Sequence, residues 1–158
     1  EFYRPGQIES FSGLDPSPEL LAMSVAAAAA RGMDADIRGG VGEAMPFENG
    51  SFDTVVTTFT LCSVHDQAAV LSEIRRVLKP GGIALFLEHG AAPDAGVAKW
   101  QRRIEPIWKR IGGNCHLTRP ISDAYEQAGF AVDRQAAAYI PKTPRPFGWY
   151  EYGAARPA

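Results

Sequence analysis

Polar residues follow three predicted strands of this chain at the points where the strands end. Asp15 ends the first apolar segment, and Cys62 comes directly after the run from Phe52 to Leu61. Glu88 and His89 end a third run. Ligands of open parallel sheets bind beyond the carboxyl ends of the strands. These positions are therefore the first candidates for a functional site.

The chemistry open to these residues includes cofactor binding and proton transfer. A carboxylate such as Asp15 can accept two hydrogen bonds from the vicinal hydroxyls of a ribose. Its structural alternative is helix entry, because Ser17 follows closely and is a good N-cap. A histidine such as His65 or His89 can act as an acid or base near neutral pH, but a single buried histidine is more often structural. Both interpretations stay open on the residues alone.

Hydrophobic periodicity indicates alternating strands and helices. The run Phe52 to Leu61 has apolar residues at both its odd and its even positions, which predicts a central strand covered by helices on both faces. Pro106 is expected to bend a helix or to mark its restart. The predicted elements are strands at 8–14, 35–38, 52–61, 83–88, 130–140 and 147–154, with helices at 19–31, 70–78, 97–111 and 120–128.

Two β-helix-β units in this order predict an α/β fold with a doubly wound, mostly parallel sheet. The last two strands are close in sequence, which predicts an antiparallel hairpin at the sheet edge. With 158 residues, we expect one domain.

Composition excludes several classes of protein. The chain is 46% hydrophobic and 22% charged, which is typical of a globular fold, and its net charge of −2 gives no basic field for nucleic acid. Cys62 and Cys115 lack the short spacing of metal motifs, so no metal site is predicted. So few cysteines favour a reducing compartment, the cytoplasm. No apolar run is long enough to span a bilayer.

Three segments in this order resemble the class I S-adenosylmethionine-dependent methyltransferases: GLDPSPELL, GEAMPFENGSFDTVV and LSEIRRVLKPGG. The resemblance covers about residues 12 to 90. It implies that S-adenosylmethionine is the cofactor and that Asp15 binds its ribose. It also implies that Gly42 and Glu43 lie in the adenine loop and that the residues after the central strand face the methionine part, namely Thr58, Phe59 and Thr60.

Two departures from the family pattern matter here. Val41 stands where the family often has an acidic residue, which leaves the backbone N–H of Gly42 for adenine. No G-x-G-x-G loop occurs in the chain. In the family that loop follows a first strand, which lies between the strand ending at Asp15 and the strand at 52–61. We therefore expect a truncated chain whose sheet lacks its first strand and has two exposed edges.

A narrower resemblance covers about residues 87 to 130. The segments EHGAAPD and WQRRIEPIWKRIGGNCHLTR look like small methyltransferases that include the membrane-associated alkyl thiol methyltransferases. This implies a small-molecule acceptor, such as a thiol, whose deprotonation His89 or His116 would assist. Thr118 and Arg119 would lie at the substrate rim; alternatively, Thr118 caps the next helix and Arg119 is merely solvated.

Aromatic side chains are candidates for a wall that attracts the sulfonium group. Phe2, Tyr3 and Phe59 are the possible residues, and core packing is the stronger alternative for Phe59.

Other classes of function remain open. A non-catalytic relic of the fold would explain the missing glycine loop, and a nicotinamide-dependent oxidoreductase would also place an acid at a strand end. The segment 97–111 carries five cations against Glu105, together with Trp100 and Trp108, and such a helix can lie on an anionic membrane. Its simpler interpretation is an amphipathic helix that covers the sheet with a solvated basic face.

Overall fold

The computed structural model describes residues 8–158, with Arg134 and Gln135 described by their backbone alone. Phe2 and Tyr3, considered above as aromatic wall residues, lie outside the described residues. The chain divides into two compact units, one ending at Pro46 and one spanning Phe47–Ala158. The expectation of a single domain stays a prediction.

The first unit is a β-helix-β unit, as its periodicity predicts. Strand β1 (Phe11–Asp15) pairs in parallel with β2 (Ala35–Gly39), and helix α1 (Pro18–Ala29) connects them. The helix begins at the predicted cap, where Ser17 Oγ accepts a hydrogen bond of 3.2 Å from the Leu20 N–H. A 3₁₀ turn over Gly42–Ala44 follows β2.

The second unit contains a four-stranded sheet in the order β3-β4-β6-β5. The pair β3–β4 is parallel, whereas β4–β6 and β6–β5 are antiparallel. The predicted terminal hairpin is therefore confirmed, with β5 as the edge strand. The elements are β3 (Phe52–Thr58), α2 (Gln67–Val77), β4 (Leu78–His89), α3 (Ala95–Ile111), α4 (Ile121–Gln127), β5 (Phe130–Tyr139), α5 (Arg145–Gly148) and β6 (Trp149–Pro157).

One face of this sheet carries the core. Along β4 the residues Ala84, Phe86 and Glu88 are buried, in the period of two that a strand imposes. Phe86 stacks on Tyr125 of α4, with ring centroids 4.9 Å apart. Helix α2 buries its own apolar stripe, Val70, Leu71, Ile74 and Val77.

The helices of the second unit do not cover the opposite face of the sheet. Val56 is 52% exposed, and Leu85 and Tyr152 are 38% and 40% exposed. The helices of the second unit therefore cover one face of this strand, and cover of its other face stays a prediction. The buried residues alternate with these positions and lie on the face where Phe86 meets Tyr125, so the other face keeps its apolar side chains exposed. The strand is also shorter than predicted, because the chain turns after Thr58.

Helix α3 excludes a restart at Pro106, and the alternative of a bend there stays a prediction. It runs through Pro106 without restarting, because proline removes one backbone donor and the rest of the helix supplies the others. Only Gln101 is fully buried on it, whereas Trp100, Ile107 and Ile111 are 57%, 67% and 75% exposed. Within the described residues, no helix is long and apolar enough to cross a membrane.

Candidate functional site

The turn after β3 adopts a strained backbone. Phe59 has a φ of +52°, in the left-handed region that residues with side chains rarely occupy. Its N–H donates to the Leu87 carbonyl at 2.8 Å, so the last backbone bond to β4 holds this conformation. Such strain costs on the order of 1–3 kcal/mol and concentrates at functional sites. The turn therefore marks the carboxyl end of β3 as a candidate site.

A buried carboxylate on β4 holds this turn. Glu88 is fully buried, and its two oxygens accept hydrogen bonds from the backbone N–H groups of Thr60 (3.1 Å) and Cys62 (3.4 Å). Burial raises the pKa of Glu88, and hydrogen bonds from the turn backbone act in the opposite direction. The turn thus satisfies the carboxylate, and the carboxylate fixes the turn.

The loop between α3 and α4 returns to the same strand end. The His116 N–H donates to the Cys62 carbonyl at 2.7 Å, and Asn114 Nδ2 donates to the Ser63 carbonyl at 2.7 Å. Arg119 Nη1 donates to the Leu61 carbonyl at 2.6 Å. Three hydrogen bonds therefore tie this loop to the turn after β3.

These contacts revise the alternatives for Thr118 and Arg119. Helix α4 has Pro120 at its N-cap and no side-chain cap, so Thr118 does not cap it. The Thr118 N–H instead donates to Glu105 Oε2 at 2.8 Å. Arg119 binds the turn after β3 and is not merely solvated.

Both candidate histidines lie at this end of the sheet. His116 Nδ1 is 3.4 Å from Glu105 Oε1, and the two side chains are 23% and 17% exposed. A carboxylate in this position orients the imidazole ring. The His89 ring packs on Phe59 at a centroid distance of 4.4 Å. Phe59 is itself 39% exposed, so the alternative that it packs in the core is wrong.

Two buried cysteines accompany the histidines. Cys62 and Cys115 are free thiols, and Cys115 Sγ is 4.0 Å from His89 Nδ1. A hydrogen bond from Cys62, supported by His89, lowers the pKa of Cys115, while the same thiol pair and burial raise the pKa of Cys62. Linear spacing cannot reveal this cluster, because three separate segments supply its members.

Sequence reasoning also missed Gln101 and Glu105. Gln101 Oε1 accepts from the Ala92 N–H at 2.9 Å, and its Nε2 donates to the Gly90 carbonyl at 3.1 Å. These bonds fix the backbone just beyond β4. The sequence offered one signal for Gln101: it is a polar residue directly after Trp100, in a segment whose apolar residues have helical spacing.

The first unit carries the predicted nucleoside residues. Asp15 Oδ1 accepts from the Ser17 N–H at 2.8 Å, and among the described residues Oδ2 has no partner. The helix-entry interpretation of Asp15 is therefore confirmed, and its binding of a ribose stays a prediction. Gly42 opens the 3₁₀ turn with Glu43 next to it, and the first N–H groups of such a turn have no partner within it.

Comparisons with known proteins identify the family of the chain. Residues 2–86 match the family described as a methyltransferase domain. A rat protein named thiol S-methyltransferase TMT1B is 43% identical over 106 residues, which are 66% of this chain and 41% of that protein. The demethylmenaquinone methyltransferase of Thermus thermophilus is 36% identical over 72% of this chain and 54% of its own.

Comparison with solved structures finds methyltransferase folds. A SAM-dependent methyltransferase from Methanosarcina mazei superposes with a TM-score of 0.72 at 20% identity, covering 92% of this chain and 81% of that structure. The chain therefore belongs to the class I S-adenosylmethionine-dependent methyltransferases. The matched segment spans about two fifths of the length of the rat relative (41%). Family membership leaves the nicotinamide-dependent alternative without support.

We expect Glu88→Ala to lower the free energy of unfolding by about 2–4 kcal/mol, because the N–H groups of Thr60 and Cys62 would lose their acceptors in a buried place. Glu88→Gln keeps one acceptor and should lose less. Denaturant unfolding followed by circular dichroism measures both values. The exposed Glu126→Ala on α4 is the matched control and should change stability by less than about 0.5 kcal/mol. Equal losses for Glu88→Ala and the control would contradict the role of this carboxylate.

Proposed function

We propose that this chain carries out methyl transfer from S-adenosylmethionine to the thiol of a small molecule. The observation that carries the proposal is His116, oriented by Glu105 on a loop that is bound to the turn after β3. Support also comes from the similarity to thiol S-methyltransferases, which this chain matches over part of their length.

The cofactor supplies an electrophilic methyl group on a sulfonium, so the protein has to deprotonate and align the acceptor. Because His116 Nδ1 faces Glu105, its Nε2 is the atom that accepts the thiol proton in this proposal. The resulting thiolate would be the nucleophile for the methyl group that bound S-adenosylmethionine would supply, with the neutral thioether of the cofactor as the leaving group. A thiol with a pKa near 8.5 is partly ionised at neutral pH, so one weak base suffices.

We assign cofactor contacts residue by residue. In the first unit, Asp15 would bind the ribose, while the Gly42 backbone and Glu43 would lie by the adenine. In the second unit, Thr58, Phe59 and Thr60 would line the methionine part, and the exposed ring of Phe59 can attract a sulfonium. These assignments rest on the family resemblance and on the partners described above.

We predict that Asp15→Ala weakens S-adenosylmethionine binding by about 1–3 kcal/mol, the scale of lost charge-assisted hydrogen bonds. Calorimetric titration of the protein with the cofactor measures the change. Asp34→Ala removes an exposed carboxylate of the same unit and serves as the control. Unchanged affinity would remove Asp15 from the site, and no cofactor binding by the wild type would favour the alternative of a non-catalytic relic.

We predict that His116→Gln lowers kcat for an alkyl thiol by roughly 10²-fold with cofactor affinity unchanged, because the general base is lost. The loss should shrink for an aryl thiol, whose lower pKa supplies thiolate without a base. Steady-state rates with paired thiols provide the measurement, with His65→Gln as the control. A loss in His89→Gln and none in His116→Gln would assign the base to His89. Activity indifferent to both histidines, or no thiol activity, would end the thiol proposal.

We further propose that α3 contacts anionic membranes at its surface. The exposed residues Trp100, Ile107 and Ile111 form an apolar row beside several cations, and Arg103 lies over the Trp100 ring at 5.9 Å. This is the pattern of helices that lie in the membrane interface.

We predict that the protein sediments with liposomes of acidic lipid at low salt and that the double variant Ile107→Ser and Ile111→Ser sediments less. Burial of both side chains would contribute about 3–6 kcal/mol at most. Val25→Ser, which removes an exposed apolar side chain of α1, is the control. Absence of the wild type from the liposome pellet would contradict membrane contact.

A further inference from the structure

Three potential metal ligands converge at the carboxyl end of the four-stranded sheet. Cys62 comes from the turn after β3, His89 is the last residue of β4, and Cys115 lies in the loop after α3. Their ligand atoms all lie within 4.8 Å of one another, and Cys115 Sγ is 4.0 Å from His89 Nδ1.

This spacing is close to that of a bound metal. In a tetrahedral zinc site, Zn–S bonds of about 2.3 Å and Zn–N bonds of about 2.0–2.1 Å place neighbouring ligand atoms about 3.5–3.8 Å apart. Ligand atoms that now lie within 4.8 Å would each have to move by about 1 Å or less. Small side-chain rotations achieve this without moving the backbone.

The backbone that carries the ligands is already held in place. The Cys62 N–H donates a hydrogen bond to Glu88, and the Cys62 carbonyl accepts one from the His116 N–H. The Cys115 N–H donates to the Gly112 carbonyl at 3.1 Å. The two cysteines are only 1% and 6% exposed, so the pocket is shielded from water on the thiol side. A preorganised ligand set loses little entropy when a metal binds.

The donor set selects the class of metal. Two thiols and one imidazole suit a thiophilic cation such as Zn²⁺ and are poor ligands for Mg²⁺ or Ca²⁺, which prefer oxygen.

We propose that Cys62, His89 and Cys115 form a zinc-class metal site with three protein ligands and a fourth position for water or another ligand. A three-ligand set with one open position is the arrangement of catalytic zinc sites. The site goes beyond the proposed thiol methylation, and its test depends on metal binding alone.

The test is titration of the fully reduced protein with Co²⁺ under argon, followed by displacement with Zn²⁺. We expect one Co²⁺ per chain, thiolate-to-cobalt charge-transfer absorption, and the intense visible bands of tetrahedral Co²⁺. Zinc should remove these bands, because zinc binds such sites more tightly. Cys62→Ser, Cys115→Ser and His89→Gln should each weaken binding by roughly 100-fold or more, since each removes one ligand.

His65→Gln is the matched control, because it removes an exposed histidine outside the cluster and should bind Co²⁺ as the wild type does. Circular dichroism of each variant shows whether it is folded, and for a variant that unfolds, the corresponding alanine substitution is titrated in its place. A fully reduced wild type that binds no Co²⁺ overturns the proposal. Binding that survives both cysteine substitutions, or that is lost equally in His65→Gln, also overturns it.

Discussion

The buried carboxylate of Glu88 is the constraint on which the candidate site of the second unit depends. A buried carboxylate needs hydrogen-bond donors, and the backbone of the turn after β3 supplies them through Thr60 and Cys62. Meeting this need bends the chain sharply after Thr58, which puts Phe59 at a positive φ and its ring against His89. One interaction inside the sheet thus determines where the residues at the strand end can lie.

The same turn then positions the loop between α3 and α4. Its carbonyl groups accept hydrogen bonds from Asn114, His116 and Arg119, so the loop after α3 follows the turn. Glu105 completes the connection from the side of α3, since it binds the Thr118 N–H and lies beside the His116 ring. Loops that carry function are usually supported by a rigid scaffold, and in this unit the scaffold is a series of hydrogen bonds, most of them between a side chain and a backbone group, that begins at Glu88.

Local patterns predicted the elements well and the contacts poorly. The Ser17 cap, both β-helix-β units and the terminal hairpin were predicted correctly, because each depends on neighbours in sequence. Which face the second unit covers could not be predicted, since an apolar strand has the same sequence pattern whichever face is packed; the side chains of Val56 and Leu85 lie on the uncovered one. The pairing of His116 with Glu105 and the cluster of Cys62, His89 and Cys115 depend on tertiary structure, which motif spacing does not encode.

The buried polar side chains of the second unit bear on the choice between an enzyme and a relic of the fold. Glu88 and Gln101 both hydrogen-bond to backbone at or just beyond the strand ends, and Glu151 lies opposite Glu88 in the sheet and binds Ser122. Burying such groups seldom improves stability over apolar residues of similar size. Their concentration at one end of the sheet therefore indicates that this end is shaped at some cost to stability. His89 and His116 lie at the same end, and this coincidence of shaped backbone with titratable side chains supports the proposed methyl transfer over the alternative of a non-catalytic relic.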